Sequence, residues 1–302
     1  MDSFDQSLKY LLHQQPADFV RFALGDPEAR VLGPVPSGLP SRGRDVDGAY
    51  FVESGGADLV AHLEFHRRHQ SATELAVDVG EAQIRLYRRE GLAVASLVWD
   101  LYGASDEPVI GERTFAHGAR VLKKRSRVVY LRVNLRGLGW KALLSDAPPA
   151  LWPLVALTRD GASEDAVHEV RDAIEARTDL TAAEQADHLA VLWFIAEAED
   201  VPVRMMKEYI TEERLMASTL YQSIFEKGEA RGEARGKAGQ CAETILRILT
   251  RRLGALDSVV AARIRSEPSI DTLDVWLNEA LDLPDAESAR RFIEKISKAS
   301  PS

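Results

Sequence analysis

The segment Arg44 to Arg68, RDVDGAYFVESGGADLVAHLEFHRR, constrains the fold more than any other part of the chain. Two runs rich in strand-forming residues, Val46 to Val52 and Leu59 to His66, flank the pair Gly55–Gly56. Paired glycines supply the positive φ angles of a tight hairpin turn. From Leu59 onward one face carries Leu59, Ala61, Leu63 and Phe65, and the other Val60, His62, Glu64 and His66. Such a hairpin has an apolar side that must be covered, which calls for a sheet layered with other elements.

Closing the hairpin at Gly55–Gly56 sets Asp47 opposite Glu64 and Asp45 opposite His66. Directly opposed side chains have Cβ atoms ~4.5–5.5 Å apart, and like charges there weaken a sheet. A hard divalent cation such as Mg²⁺ supplies the missing counter-charge, because such ions favour carboxylate and carbonyl oxygens. Two readings compete with this one. The acids can pair with Arg44, Arg67 or Arg68 across an exposed hairpin. Alternatively, His62, Glu64, His66 and His69 can form a zinc site. On a helix His62 and His66 would stand four residues apart, but the order H-L-E-F-H departs from the H-E-x-x-H of metalloproteases.

Elsewhere the first half alternates between helix and strand. Asp5 to Gln14 suits a helix with Leu8, Leu11 and Leu12 on one face, and Asp18 to Leu24 continues it after Pro16. Gly33 to Arg44 has loop composition. Thr73 to Arg89 suits a helix; Leu92 to Trp99 is apolar on both faces, as a central strand would be; Arg127 to Val133 is a further strand. From Trp140 the pattern is helical, with helices expected over Ala166 to Arg177, Ala182 to Ala198, Val203 to Lys227 and Cys241 to Leu253. Ser269 and Asp285 are candidate caps. The repeat GEARGEARGKAG, Gly228 to Gly239, places glycines at 228, 232 and 236 on one helical face and is expected to be a hinge, a close-packing connector or a flexible linker. The expected domains are 1–155, a helical extension 156–227, the connector 228–239 and a small helical domain 240–302.

Composition narrows the classes. The chain has 302 residues, 45% hydrophobic and 28% charged, which excludes a largely disordered polymer. One cysteine, Cys241, excludes an intrachain disulfide and a cysteine-built zinc site. The longest apolar stretch, Leu92 to Trp99, is far short of the ~20 residues that span a bilayer. The N-terminal MDSFDQSLKY is acidic and polar, so a cytoplasmic location and no membrane partner are expected. Residues 1–150 hold 19 basic and 19 acidic residues, whereas the remainder carries the whole net charge of −9. Arg113 to Leu144 has nine basic residues and no acid, which either attracts a polyanion or is balanced by acids elsewhere in the fold.

An aspartate, a hairpin and a glutamate on the next strand are the elements of the PD-(D/E)XK nuclease signature. The first ~155 residues resemble the bacterial recombination-promoting nuclease and transposase-like family within that superfamily. The resemblance rests on FDQSLKYLL (Phe4 to Leu12), RDVDGAYFV (Arg44 to Val52), HLEFHRR (His62 to Arg68), IRLYRREGLAVASLVWDL (Ile84 to Leu101) and LWPLVAL (Leu151 to Leu157), in the family's order. The C-terminal segment is similar to a helical domain appended to bacterial relatives. The resemblance implies an α/β fold with an αβββαβ restriction-endonuclease-like core followed by an all-helical C-terminal half. It also implies an endonuclease that hydrolyses DNA with Mg²⁺, or Mn²⁺ in its place. By position Asp47, Glu64 and the backbone carbonyl of Phe65 would hold the metal. His66 stands where the family has lysine or glutamine and would orient or deprotonate water, or else mark a degenerate site that binds DNA or protein without cutting.

Asp5 and Lys9 match the family's first-helix pattern and would sit at the rim of the site, or form an ordinary i,i+4 ion pair. Arg67, Arg68, Arg85, Lys123, Lys124 and Arg125 are the candidate DNA contacts. Arg88 and Arg89 share a helical face with Arg85, and Glu81 precedes Arg85 by four residues. A further expectation is that the acidic helical half mediates homo-oligomer formation.

Overall fold

A computed structural model describes residues 3–35, 46–66, 72–102, 110–116 and 125–298. The chain divides into two compact units, residues 1–222 and 223–302. The boundary therefore differs from the expected one: the helical extension from 156 to 222 belongs to the same unit as the sheet.

The first unit begins with α1 (Ser3–Gln14) and α2 (Pro16–Leu24), followed by β1 (Arg30–Pro34), β2 (Gly48–Ser54) and β3 (Ala57–His66). Then come α3 (Ala72–Glu90), β4 (Ala93–Asp100), β5 (Ile110–Ala116) and β6 (Arg125–Asn134). The six strands form one mixed sheet in the order β1-β2-β3-β4-β6-β5. β2 and β3 are an antiparallel hairpin whose ladder runs from Ser54↔Ala57 to Gly48↔Leu63, the register expected from the glycine pair. Gly55 and Gly56 have φ of 58° and 75°, the positive values that a two-residue hairpin turn demands. β3 and β4 are parallel, as are β4 and β6, so α3 is the crossover between β3 and β4.

Each face of the sheet is covered. Leu75, Ala76 and Val79 of α3 pack on Val98 and Tyr130, and Ala82 and Leu86 pack with Val60 and Ala49. On the opposite face Phe19 and Phe22 of α2 meet Trp99, and Phe19 meets Phe65 edge-on at 6.0 Å between ring centroids. Trp99 and Val98 are both fully buried on neighbouring positions, which makes β4 the central strand that its two-sided apolar sequence predicts.

Two strands escape the sequence pattern. β1 and β5 lie at the two edges of the sheet, where one side needs no apolar partner; Leu32 and Ile110 are 53% and 56% exposed. β1 takes in Gly33 and Pro34, the start of the expected loop; its remainder, 36–45, lies outside the described residues.

Helices complete the unit: α4 (Trp140–Asp146), α5 (Glu164–Glu175), α6 (Ala182–Ala198), α7 (Val203–Tyr209) and α8 (Glu212–Met216), with a 3-10 segment at Pro149–Leu157. α6 is buried around its whole circumference from Ala186 to Ala196, as the apolar run Leu189–Ala196 requires, with Asp187 and His188 buried at its start. The single helix expected over Val203 to Lys227 is broken, because Thr211 Oγ1 accepts from the N–H of Arg214 and starts a new helix, α8.

The boundary at residue 222 falls inside α9 (Thr219–Leu253). The glycine repeat is thus neither a break nor a coil: it is part of one continuous helix, which ends at Gly254 with φ 82°. α10 (Ser258–Arg265), α11 (Ile270–Leu281) and α12 (Ala286–Lys298) close the second unit around Ile245, Leu249, Ile264, Leu273, Trp276 and Phe292. Ser269 and Asp285 cap α11 and α12, accepting from the N–H groups of Thr272 and Ser288 at 3.2 and 2.8 Å. Among the described residues no helix is long and apolar enough to cross a membrane.

Candidate active site

The hairpin register decides which polar residues gather at the end of β3. Asp47 directly precedes the first pair of the ladder, Gly48↔Leu63, and so stands beside Glu64. Asp47 is held from two directions. Its Oδ2 accepts the backbone N–H of Phe65 at 2.8 Å, and its Oδ1 faces Lys9 Nζ of α1 at 2.9 Å. Lys9 also reaches Asp5 Oδ2 at 3.3 Å. The i,i+4 pair of Asp5 and Lys9 exists, and its lysine extends to Asp47.

The electrostatics of this group are uneven. Burial and then the nearby Glu64 charge raise the Asp47 carboxyl above its ordinary pKa, although Lys9 and the Phe65 N–H act in the opposite direction. Burial alone would lower Lys9, but the hydrogen bond and charge of Asp47, with help from Asp5, keep it raised. Two neighbouring carboxylates thus repel one another at a partly buried place, with Lys9 paired to Asp47.

Glu64 is oriented by its own strand. Oε2 lies 3.6 Å from Nε2 of His62, two residues earlier on the same face. His62 is 1% exposed, and its Nδ1 pairs with Ser96 Oγ of β4 at 3.0 Å. Because β3 is a strand, His62 and His66 do not take the helical spacing of a metalloprotease motif. His69 lies outside the described residues.

His66 turns to a different partner. The register His66↔Asp100 brings Nδ1 to 3.6 Å from Asp100 Oδ1, while Arg132 Nε of β6 lies 3.7 Å from Asp100 Oδ2. Burial pushes the Asp100 carboxyl up, but His66 and Arg132 outweigh it and hold the group below its usual range. Asp100, Arg132 and Ser96 are the residues that sequence reasoning missed.

The candidate DNA contacts are dispersed or undescribed. Arg67, Arg68, Lys123 and Lys124 lie outside the described residues, as do Arg44 and Asp45, and Arg125 opens β6. Arg85 pairs with Glu81 on α3. Several cations of the basic stretch are balanced locally: Arg127 by Glu112 at 2.6 Å, Arg132 by Asp100, and Arg136 by Glu199. Among the described residues no three His, Cys, Asp or Glu side chains gather into a metal-holding group. A metal here would rest on two carboxylates, with main-chain carbonyl and water oxygens making up the rest. No family model, curated protein or solved structure matches the chain.

Proposed function

We propose that the first unit is a Mg²⁺-dependent endonuclease that hydrolyses DNA phosphodiester bonds. The observation that carries this reading is the meeting of Asp47 and Glu64 at the end of the β2–β3 hairpin, where the Glu64 charge raises the Asp47 carboxyl against the pull of Lys9. The order of two helices, three strands, a helix and a strand, supplied by α1–α2, β1–β3, α3 and β4, contains the αβββαβ succession and so supports a PD-(D/E)XK type of core.

The donor set suits a hard cation: each carboxylate oxygen of Asp47 accepts one contact and keeps lone-pair capacity for another. Asp47, Glu64 and the Phe65 carbonyl would hold the ion. When bound, it lowers the pKa of water and polarises the phosphoryl oxygen. Lys9 keeps the Asp47 carboxylate charged and in place. The His62–Ser96 pair restricts Glu64 from the buried side. With Nδ1 of His66 facing Asp100, Nε2 is the nitrogen that takes a proton from the attacking water, and Asp100 with Arg132 steadies the ring.

A second reading draws on the same histidine. His66 replaces the expected lysine or glutamine and is committed to Asp100, as in a relative that binds DNA without cutting it. One assay separates the two. Supercoiled plasmid is incubated with wild type or Glu64→Ala in Mg²⁺, Mn²⁺ or EDTA. Metal-dependent nicking that Glu64→Ala abolishes supports the nuclease. Plasmid left supercoiled in every metal, with a gel shift that persists in EDTA, supports the non-cutting relative instead.

A further inference from the structure

The exposed stretch of α9 carries an arrangement that packing among the described residues does not explain. Glu226 to Ala230 and Gly232 to Lys237 are all exposed, so these positions present no packed face among the described residues. Its glycines each cost about 1 kcal/mol relative to alanine, and helices in proteins draw most of their stability from packing. A Cβ built on Gly228, Gly232, Gly236 or Gly239 would meet no atom within 4 Å. The fold itself therefore gives no steric reason for glycine at these four positions.

The charges are segregated in a way that a solitary helix does not favour. Glu229 and Glu233 follow one another at four-residue spacing, and so do the basic residues at positions 227, 231 and 235. Like charges at that spacing destabilise a helix by about 0.2–0.5 kcal/mol per pair. Glu233 finds relief toward Lys237, at 2.6 Å. With 3.6 residues per turn, the acidic column lies roughly 80° to one side of the glycine column and the basic column roughly 80° to the other. Phe225, 52% exposed, begins the acidic column one turn before Glu229.

We propose that this face of α9 is the contact between two copies of the chain, with the two helices parallel. A twofold axis running along the helices exchanges left flank for right. Each copy's Glu229 and Glu233 then lie against Lys227 and Arg235 of the other, on both sides of the seam. An antiparallel pair would instead bring acid to acid and base to base. Flanking charges select partner and orientation in coiled coils by the same logic. The glycines along the seam allow close backbone approach. The inference is independent of the nuclease reading, since it involves none of the residues around Asp47.

Charge reversal on the full-length chain tests it by sedimentation velocity. Wild type should be a dimer that weakens in high salt. Glu229→Lys/Glu233→Lys makes both flanks positive, and Lys227→Glu/Arg235→Glu turns positive flanks acidic. Each should weaken self-association by about tenfold or more, while an equimolar mixture of the two restores a heterodimer. In a Cys241→Ala background, Gly228→Cys should form an interchain disulfide, because the parallel arrangement brings the two 228 positions together at the seam. Monomeric wild type, undiminished association in either variant, absence of rescue in a mixture whose members keep their helicity, or no crosslink at Gly228→Cys would each overturn the proposal.

Discussion

Consecutive residues of α1 reach two aspartates, one partly buried and one buried: Lys9 contacts Asp47, and Tyr10 contacts Asp187 of α6. Their surroundings differ. Asp187, 7% exposed, accepts from the Tyr10 hydroxyl, from Ser218 Oγ at 2.6 Å, from Thr219 Oγ1 at 3.3 Å and from the Leu220 N–H at 3.3 Å. Every donor is neutral, and together they fasten the start of α9 to α1 and α6. Asp47, with its side chain 12% exposed, has a cation and an N–H but also faces a second carboxylate. A buried acid supplied only with donors holds structure together. An acid set beside another acid carries a repulsion that a bound cation would relieve.

The sharpest way to break this contrast is to remove each acid and read activity and stability separately. Asp47→Ala should lower plasmid cleavage by about 10³-fold, equivalent to about 4 kcal/mol of barrier, while the folded protein stays within about 1 kcal/mol of wild type because a repulsion disappears with the lost contacts. A readout other than activity goes with it. Mg²⁺ at a hundredfold excess over its Kd should stabilise wild type by about 2.7 kcal/mol in thermal unfolding, and should leave Asp47→Ala unmoved. Equal metal stabilisation of both proteins would remove Asp47 from the ion's coordination.

Asp187→Ala should behave in the reverse manner. It strands the Ser218 hydroxyl and the Leu220 N–H in a buried place, at a cost of about 3 kcal/mol in denaturant unfolding. Metal-dependent stabilisation of the remaining folded protein should persist. Should Asp187→Ala prove neutral in stability, or should it abolish the metal response, the division between a structural and a functional acid would fail.

The same contrast shows what a sequence carries. The Asp47–Glu64 pairing is legible because a hairpin is local: two glycines fix the turn, and the turn fixes the register. Lys9 was identifiable as a candidate, though not the direction in which it points. Asp100 and Arg132 were hidden, because their place beside His66 depends on the parallel registers of β3, β4 and β6, which crossovers rather than turns establish. β5 was hidden for a different reason: an edge strand needs little apolar alternation. The glycine repeat leaves hinge, close-packing connector and flexible linker open in the sequence, since local propensity argues for a break where the chain keeps a continuous helix. Asp187 was invisible within an apolar run; its partners Tyr10 and Ser218 are remote in sequence.

The mildest test concerns Tyr10, which joins the two acids through a single helix. Burial, followed by its hydrogen bond to Asp187, pushes the Tyr10 hydroxyl up to about 12 from an ordinary value of 10.0. A raised folded-state pKa contributes stability that is fully present below the unfolded value and is lost as pH rises toward the folded one. Wild type should therefore lose stability between about pH 10 and 12 through this residue, as the unfolded chain ionises first. Tyr10→Phe removes one hydrogen bond to a charged group while Asp187 keeps its other donors, so the cost at neutral pH should be about 1–1.5 kcal/mol. The difference between the two proteins should then narrow as pH climbs, because wild type alone carries the titrating hydroxyl at this site. Comparison of denaturant midpoints at neutral pH and above pH 10 measures it. A difference that stays constant or widens with pH would mean that Tyr10 does not donate to Asp187, and that α1 joins the two acids through Lys9 alone.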